Sequence, residues 1–100
     1  MDKREAINIV KKYKELVSQY FPVHSLYLFG SYSKGNFNEQ SDIDVAVILP
    51  SFHSDDTWWE DSSLLWALCR KIDTTIEPVL MYEGSDSPLY RDVMNTGIQI

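Results

Sequence analysis

One hundred residues, 44% hydrophobic and 24% charged, describe one small globular domain over 1–100 with a single modest core, and exclude a disordered chain. Fifteen acidic against nine basic residues give a net charge of −6, which argues against a broad basic surface for gripping nucleic acid. Cys69 is the only cysteine, so no internal disulfide or cysteine-built zinc cage is available. No apolar run approaches the roughly 20 residues that span a bilayer, so no membrane association is expected and a cytoplasmic location is the simplest reading.

Residues 3–20 are predicted helical: Ile7, Val10, Tyr13 or Lys14, Leu16 or Val17 and Tyr20 recur at three- and four-residue spacing. Asp2 supplies an N-cap and Pro22 a stop. Residues 24–29, HSLYLF, form a short strand with His24 as a polar residue at its mouth. Gly30-Ser31 makes a corner, residues 32–35 one helical turn closed by Gly35, and Asn36 to Gln40 a polar loop. Ser41 precedes a central strand over 42–49, which Pro50 closes. Residues 51–57 are expected to be an exposed loop, where Asp55-Asp56 and His53 are solvated or cap a helix rather than bind metal.

A second long helix is predicted over 58–72, with an apolar stripe of Leu65, Ala67 or Leu68, Cys69 and Ile72. Trp66 is expected in the core; Trp58 and Trp59 divide evenly between core packing and stacking a base or docking a partner. Residues 74–82 form a third strand. It holds Glu77, costly if buried without a partner, and Pro78, whose missing N–H marks an edge or a bulge. After a turn over 83–87, Ser87 caps and Pro88 opens a last helix to about Asn95; Gly97 ends it, and GIQI adds a short strand or trails away.

The chemistry concentrates in Phe29 to Leu49. Asp42 and Asp44 are one residue apart at a strand start, so they share a face, while Ile43, Val45 and Val47 point the other way. Two neighbouring like charges are unfavourable unless a cation lies between them. A hard divalent ion such as Mg²⁺ takes carboxylate and phosphate oxygens together. Gly30 allows close backbone approach to a ligand, and Ser31 offers a hydroxyl and an N–H at a turn. The N–H groups that follow make an anion cradle, with Lys34 a further candidate phosphate contact beside Ser41.

The Gly30-Ser31 pair, ten intervening residues and Asp42-Ile43-Asp44 resemble the signature of the DNA polymerase β-type nucleotidyltransferase superfamily. The longer string GSYSKG…SDIDVAV is similar to its smallest branch, the minimal nucleotidyltransferases (MNT), antitoxin partners of HEPN-domain proteins. The resemblance implies an α+β fold: a small mixed sheet of three or four strands with helices packed mainly on one face. It implies transfer of a nucleoside monophosphate, most simply AMP from ATP, to an acceptor hydroxyl with one or two Mg²⁺ ions. Asp42 and Asp44 would hold metal, and Gly30, Ser31, Lys34 and Ser41 the nucleotide. A third carboxylate on a neighbouring strand would complete the metal site or serve as base; Glu77 matches it better than Asp73, which a cap at the helix–strand junction explains. A hydroxyl of a HEPN-domain ribonuclease toxin would be the acceptor. Two other readings stand beside this one: a non-catalytic module that masks its partner, and the catalytic subunit of a two-chain, aminoglycoside-type nucleotidyltransferase. Homo- and hetero-oligomers both remain open.

Overall fold

The computed structural model describes residues 1–100. Its first helix, α1 (Lys3–Val17), starts where the Asp2 carboxylate accepts the Glu5 N–H at 2.8 Å. It ends three residues before the predicted Tyr20, because the chain tightens: Gln19 and Tyr20 donate to carbonyls only three residues back. Ala6, Val10, Tyr13 and Val17 form its buried stripe.

Four strands follow: β1 (Ser25–Phe29), β2 (Ile43–Leu49), β3 (Ile76–Tyr82) and β4 (Ile98–Gln99). They form one mixed sheet in the order β3-β2-β1-β4, with β1 antiparallel to β2 and β4, and β2 parallel to β3. The short α2 (Ser31–Lys34) separates β1 from β2, and α3 (Asp55–Cys69) makes the crossover between the parallel pair. The final α4 (Pro88–Thr96) starts at Ser87, whose hydroxyl accepts the Tyr90 N–H, with Pro88 at its first position. GIQI does add a strand: Ile98 pairs with Leu28 and Gln99 with Tyr27.

Period-two alternation divides the sheet between two cores. Ile43, Val45, Val47 and Leu49 meet α1 and α3 in the larger one, together with Leu26, Leu28, Ile76 and Leu80. On the opposite face Phe29, Ala46, Ile48 and Met81 pack against Val93 of α4. The mixed α+β architecture and the two long helices on one face agree with the sequence reading, with α4 added on the other. No helix is long and apolar enough to cross a membrane.

Two expectations about α3 are corrected. It begins at Asp55, three residues early, because Ser54 caps it by accepting the Thr57 N–H at 3.1 Å, and Asp55 and Asp56 then sit favourably in its first turn. Trp66 is not a core residue: it is 41% exposed, because Leu65, Leu68 and Cys69 define the buried stripe and turn it outward.

Candidate active site

Strand register assembles the carboxylates. In the parallel pair, Asp44 of β2 stands directly beside Glu77 of β3, and Asp42 immediately precedes β2. Both strands carry these groups on the face away from α1 and α3, since the alternating residues Ile43 and Ile76 are buried in the larger core. Asp42 and Asp44 each reach Glu77 closely enough for carboxyl groups to hydrogen-bond when a proton is present. Partial burial pushes the Asp44 carboxyl above its usual range; Glu77 pulls it back and Asp42 raises it further. Glu77 is raised in the same way, by desolvation and by the charges of Asp42 and then Asp44. As Glu77 is exposed, the like charges weigh more there than burial.

Gly30 brings the corner against this cluster. Phe29 is the register partner of Asp44, so the chain turns away from β1 beside that carboxylate. Gly30 has φ +71°, and a Cβ built on it would overlap Asp44 Oδ2, so both backbone and space demand glycine. Ser31 opens α2; the first bond of that helix runs from the Lys34 N–H to the Gly30 carbonyl, leaving the preceding N–H groups outside the helical ladder. Gly35 closes α2 in the left-handed region, as its position predicted.

The remaining candidates are less focused. Lys34 Nζ pairs with Asp92 Oδ2 of α4 at 3.2 Å, both side chains about half exposed. Ser41 Oγ accepts the Asn38 N–H at 2.9 Å and so pins the loop entering β2. Asp73 accepts from both the N–H and hydroxyl of Thr75, which confirms a turn-capping task for it. His24 rests against Ser25 Oγ at 3.2 Å.

No group of three or more His, Cys, Asp or Glu side chains is already gathered as a metal cage. The three carboxylates share an electrostatic field rather than a common point. Their chemistry nevertheless suits a hard cation: all are oxygen donors, two are held above their normal range by burial and repulsion, and neither ion pair of the chain, Lys34–Asp92 or Arg91–Asp86, includes them. Sequence reasoning passed over Asp92, whose tie to Lys34 joins α4 to α2. No local signal marks it, because the two residues lie 58 positions apart.

The sequence matches the profile of the nucleotidyltransferase domain over residues 10–95. The chain belongs to the nucleotidyltransferase domain family. It is 27% identical to a "putative protein adenylyltransferase" of Methanocaldococcus jannaschii over 101 aligned positions, covering 96% of this chain and 99% of that protein. The fold is shared with the crystal structure of a "putative nucleotidyltransferase" from Sulfolobus solfataricus, with TM-score 0.71 and 20% identity over 97% of this chain and 80% of the other. An MNT antitoxin solved in complex with the tri-AMPylated HEPN toxin of Shewanella oneidensis superimposes with TM-score 0.59 and 26% identity, over 94% of this chain and 70% of that one. The likeness to MNT antitoxins read from GSYSKG…SDIDVAV is thus borne out, and the nucleotidyltransferase family is established.

Proposed function

We propose that this nucleotidyltransferase moves AMP from ATP, with Mg²⁺, to a hydroxyl side chain of a HEPN-domain partner and thereby acts as that partner's antitoxin. The observation that carries this reading is the side-by-side register of Asp44 and Glu77, next to Asp42 and walled by Gly30. The AMPylated partner of the solved MNT antitoxin supports the choice of nucleotide and acceptor.

Asp42, Asp44 and Glu77 would hold Mg²⁺, which would supply Lewis-acid neutralisation of the charge that develops on the phosphate. Gly30 lets backbone approach the triphosphate, and Ser31 meets it with a hydroxyl and an N–H. Lys34 and Ser41 flank the same cradle, Lys34 exchanging Asp92 for phosphate. The acceptor oxygen attacks the α-phosphorus, a Glu77 carboxylate oxygen takes its proton, and pyrophosphate leaves. The raised pKa of Glu77 makes it the better base for that proton.

The competing reading is a module that neutralises its partner by masking alone, favoured by the exposed indoles of Trp59 and Trp66. One pair of measurements separates the two. Thermal shifts of the pure chain with each nucleoside triphosphate, with and without Mg²⁺, are expected to rise with ATP and Mg²⁺ and not to rise in Asp42→Asn/Asp44→Asn. Intact mass of a co-expressed HEPN partner is expected to gain AMP increments with the wild type only. A partner that is neutralised but unmodified, equally by wild type and double mutant, would falsify the catalytic reading and establish masking.

A further inference from the structure

β3 is an edge strand, with β2 on one side and no strand on the other. The Ile43 N–H donates to the Thr75 carbonyl and the Glu83 N–H to Leu49, so odd-numbered residues of β3 direct their amides into the ladder with β2. The even-numbered ones, Ile76, Pro78, Leu80 and Tyr82, direct theirs outward. Two of these outward groups are occupied within the chain: the Ile76 N–H donates to Asp73, and the Tyr82 carbonyl accepts the Ser85 N–H. Pro78 has no N–H. The open edge therefore offers Leu80 N–H and C=O, Tyr82 N–H, and the carbonyls of Pro78 and Ile76.

We infer that this edge pairs with the same edge of a second copy, antiparallel, about a two-fold axis at Leu80. Leu80 then exchanges both of its bonds with Leu80 of the second copy, and each Tyr82 N–H donates to the opposite Pro78 carbonyl. The missing N–H of Pro78 falls opposite the Tyr82 carbonyl that Ser85 already uses, so those two positions leave nothing unmatched. An unrelated strand gains no such fit from a proline in the middle of the edge.

Charge complementarity and the groove beside the edge point to the same occupant. A groove of about 580 Å³ runs between α3 and the backbone of Pro78–Leu80, lined on the helix side by Trp59, Ser62, Ser63, Trp66 and Arg70 among others. Trp59 is 66% exposed, and the buried Ser62 hydroxyl has no hydrogen-bond partner. As the crossover of a parallel pair, α3 runs against β3, with Asp61 near Tyr82 and Arg70 toward the start of the strand. Its first half carries Asp55, Asp56, Glu60 and Asp61, and its end Arg70 and Lys71. The two-fold sets two α3 helices antiparallel, each basic end level with the other's acidic half, and the indoles between them cover one another. One repulsion remains: Glu77 faces Glu83 of the second copy.

Sedimentation velocity of the 100-residue chain from micromolar to sub-millimolar concentration tests the pairing. The expected result is a concentration-dependent dimer that Trp66→Lys and Arg70→Glu, both at exposed positions, each weaken by about tenfold or more, while Glu83→Gln tightens it about threefold. Circular dichroism confirms that each variant is folded. A wild type that stays monomeric throughout the range overturns the inference, whether or not a HEPN partner then fills the groove. So does a dimer indifferent to Trp66→Lys and Arg70→Glu.

Discussion

At the scale of the residue, the paired carboxylates of Asp44 and Glu77 are a cost to the fold. Their carboxyl pKa values are raised above the unfolded values, so the stability tied to them is fully present only while they are protonated and is lost as pH rises through those raised values. At neutral pH the charged pair therefore opposes folding. Asp44→Asn and Glu77→Gln are expected to raise Tm by a few degrees at pH 7 while abolishing transfer. The gain should shrink to nothing as the pH falls below the ordinary carboxylate range. Differential scanning calorimetry across pH checks this; a lower Tm for both variants at pH 7 would show that the carboxylates are structurally satisfied instead. The carboxylate pattern itself was legible in the sequence, because one-residue spacing on a strand can only mean one face. The partnership with Glu77, 33 positions on from Asp44, rested on resemblance until register made it a geometric fact.

At the scale of the element, α3 shows where periodicity is ambiguous. Its apolar residues are so numerous, with three tryptophans in nine positions, that several stripes fit a helical period equally well. Packing against β3 and α1 selects Leu65, Leu68 and Cys69 and leaves Trp59 and Trp66 outside. Leu65→Ala is expected to cost about 2–5 kcal/mol, as for a fully enclosed leucine that leaves a cavity. Trp66→Ala, measured at a concentration low enough to keep the chain monomeric, should stay within about 1 kcal/mol despite removing far more surface. Urea denaturation of both variants distinguishes them, and equal losses would place Trp66 back in the core. Pro78 illustrates the opposite case. A residue without an N–H in an apolar strand predicts an edge, and β3 is the edge, its missing donor on the side away from β2.

At the scale of the whole molecule, one buried hydroxyl joins the two long helices across 52 positions of sequence. Tyr13 of α1 donates to the Leu65 carbonyl of α3 at 2.8 Å, and burial pushes its phenol well above the ordinary tyrosine range. Tyr13→Phe keeps the ring and loses that bond, with an expected cost of about 1 kcal/mol at neutral pH. The raised phenol makes the wild type lose stability as pH rises through the ordinary tyrosine range, and phenylalanine does not, so the gap is expected to shrink at alkaline pH. Chemical denaturation at two pH values checks both parts. The helices hold the sheet from one side, which leaves the other for Asp42, Asp44, Glu77 and α4. That division gives the site a firm floor of Ile43, Val45 and Val47 beneath it.

Local chemistry by itself determined much of this protein: the caps at Asp2 and Ser87, the stops at Gly35 and Pro50, the Gly-Ser corner, and the aspartates on one strand face. Each depends on the backbone or on neighbours within four residues, and such interactions are written in consecutive positions. Tertiary structure alone decided the strand order, the pairing of Asp44 with Glu77, the approach of Gly30 to Asp44, the Lys34–Asp92 tie and the outward turn of Trp66. Those depend on which surfaces meet once the core closes, and a side chain's burial or charge partner is set by residues tens of positions away. The carboxylates could be recognised one by one along the chain, but only the closed sheet makes them neighbours.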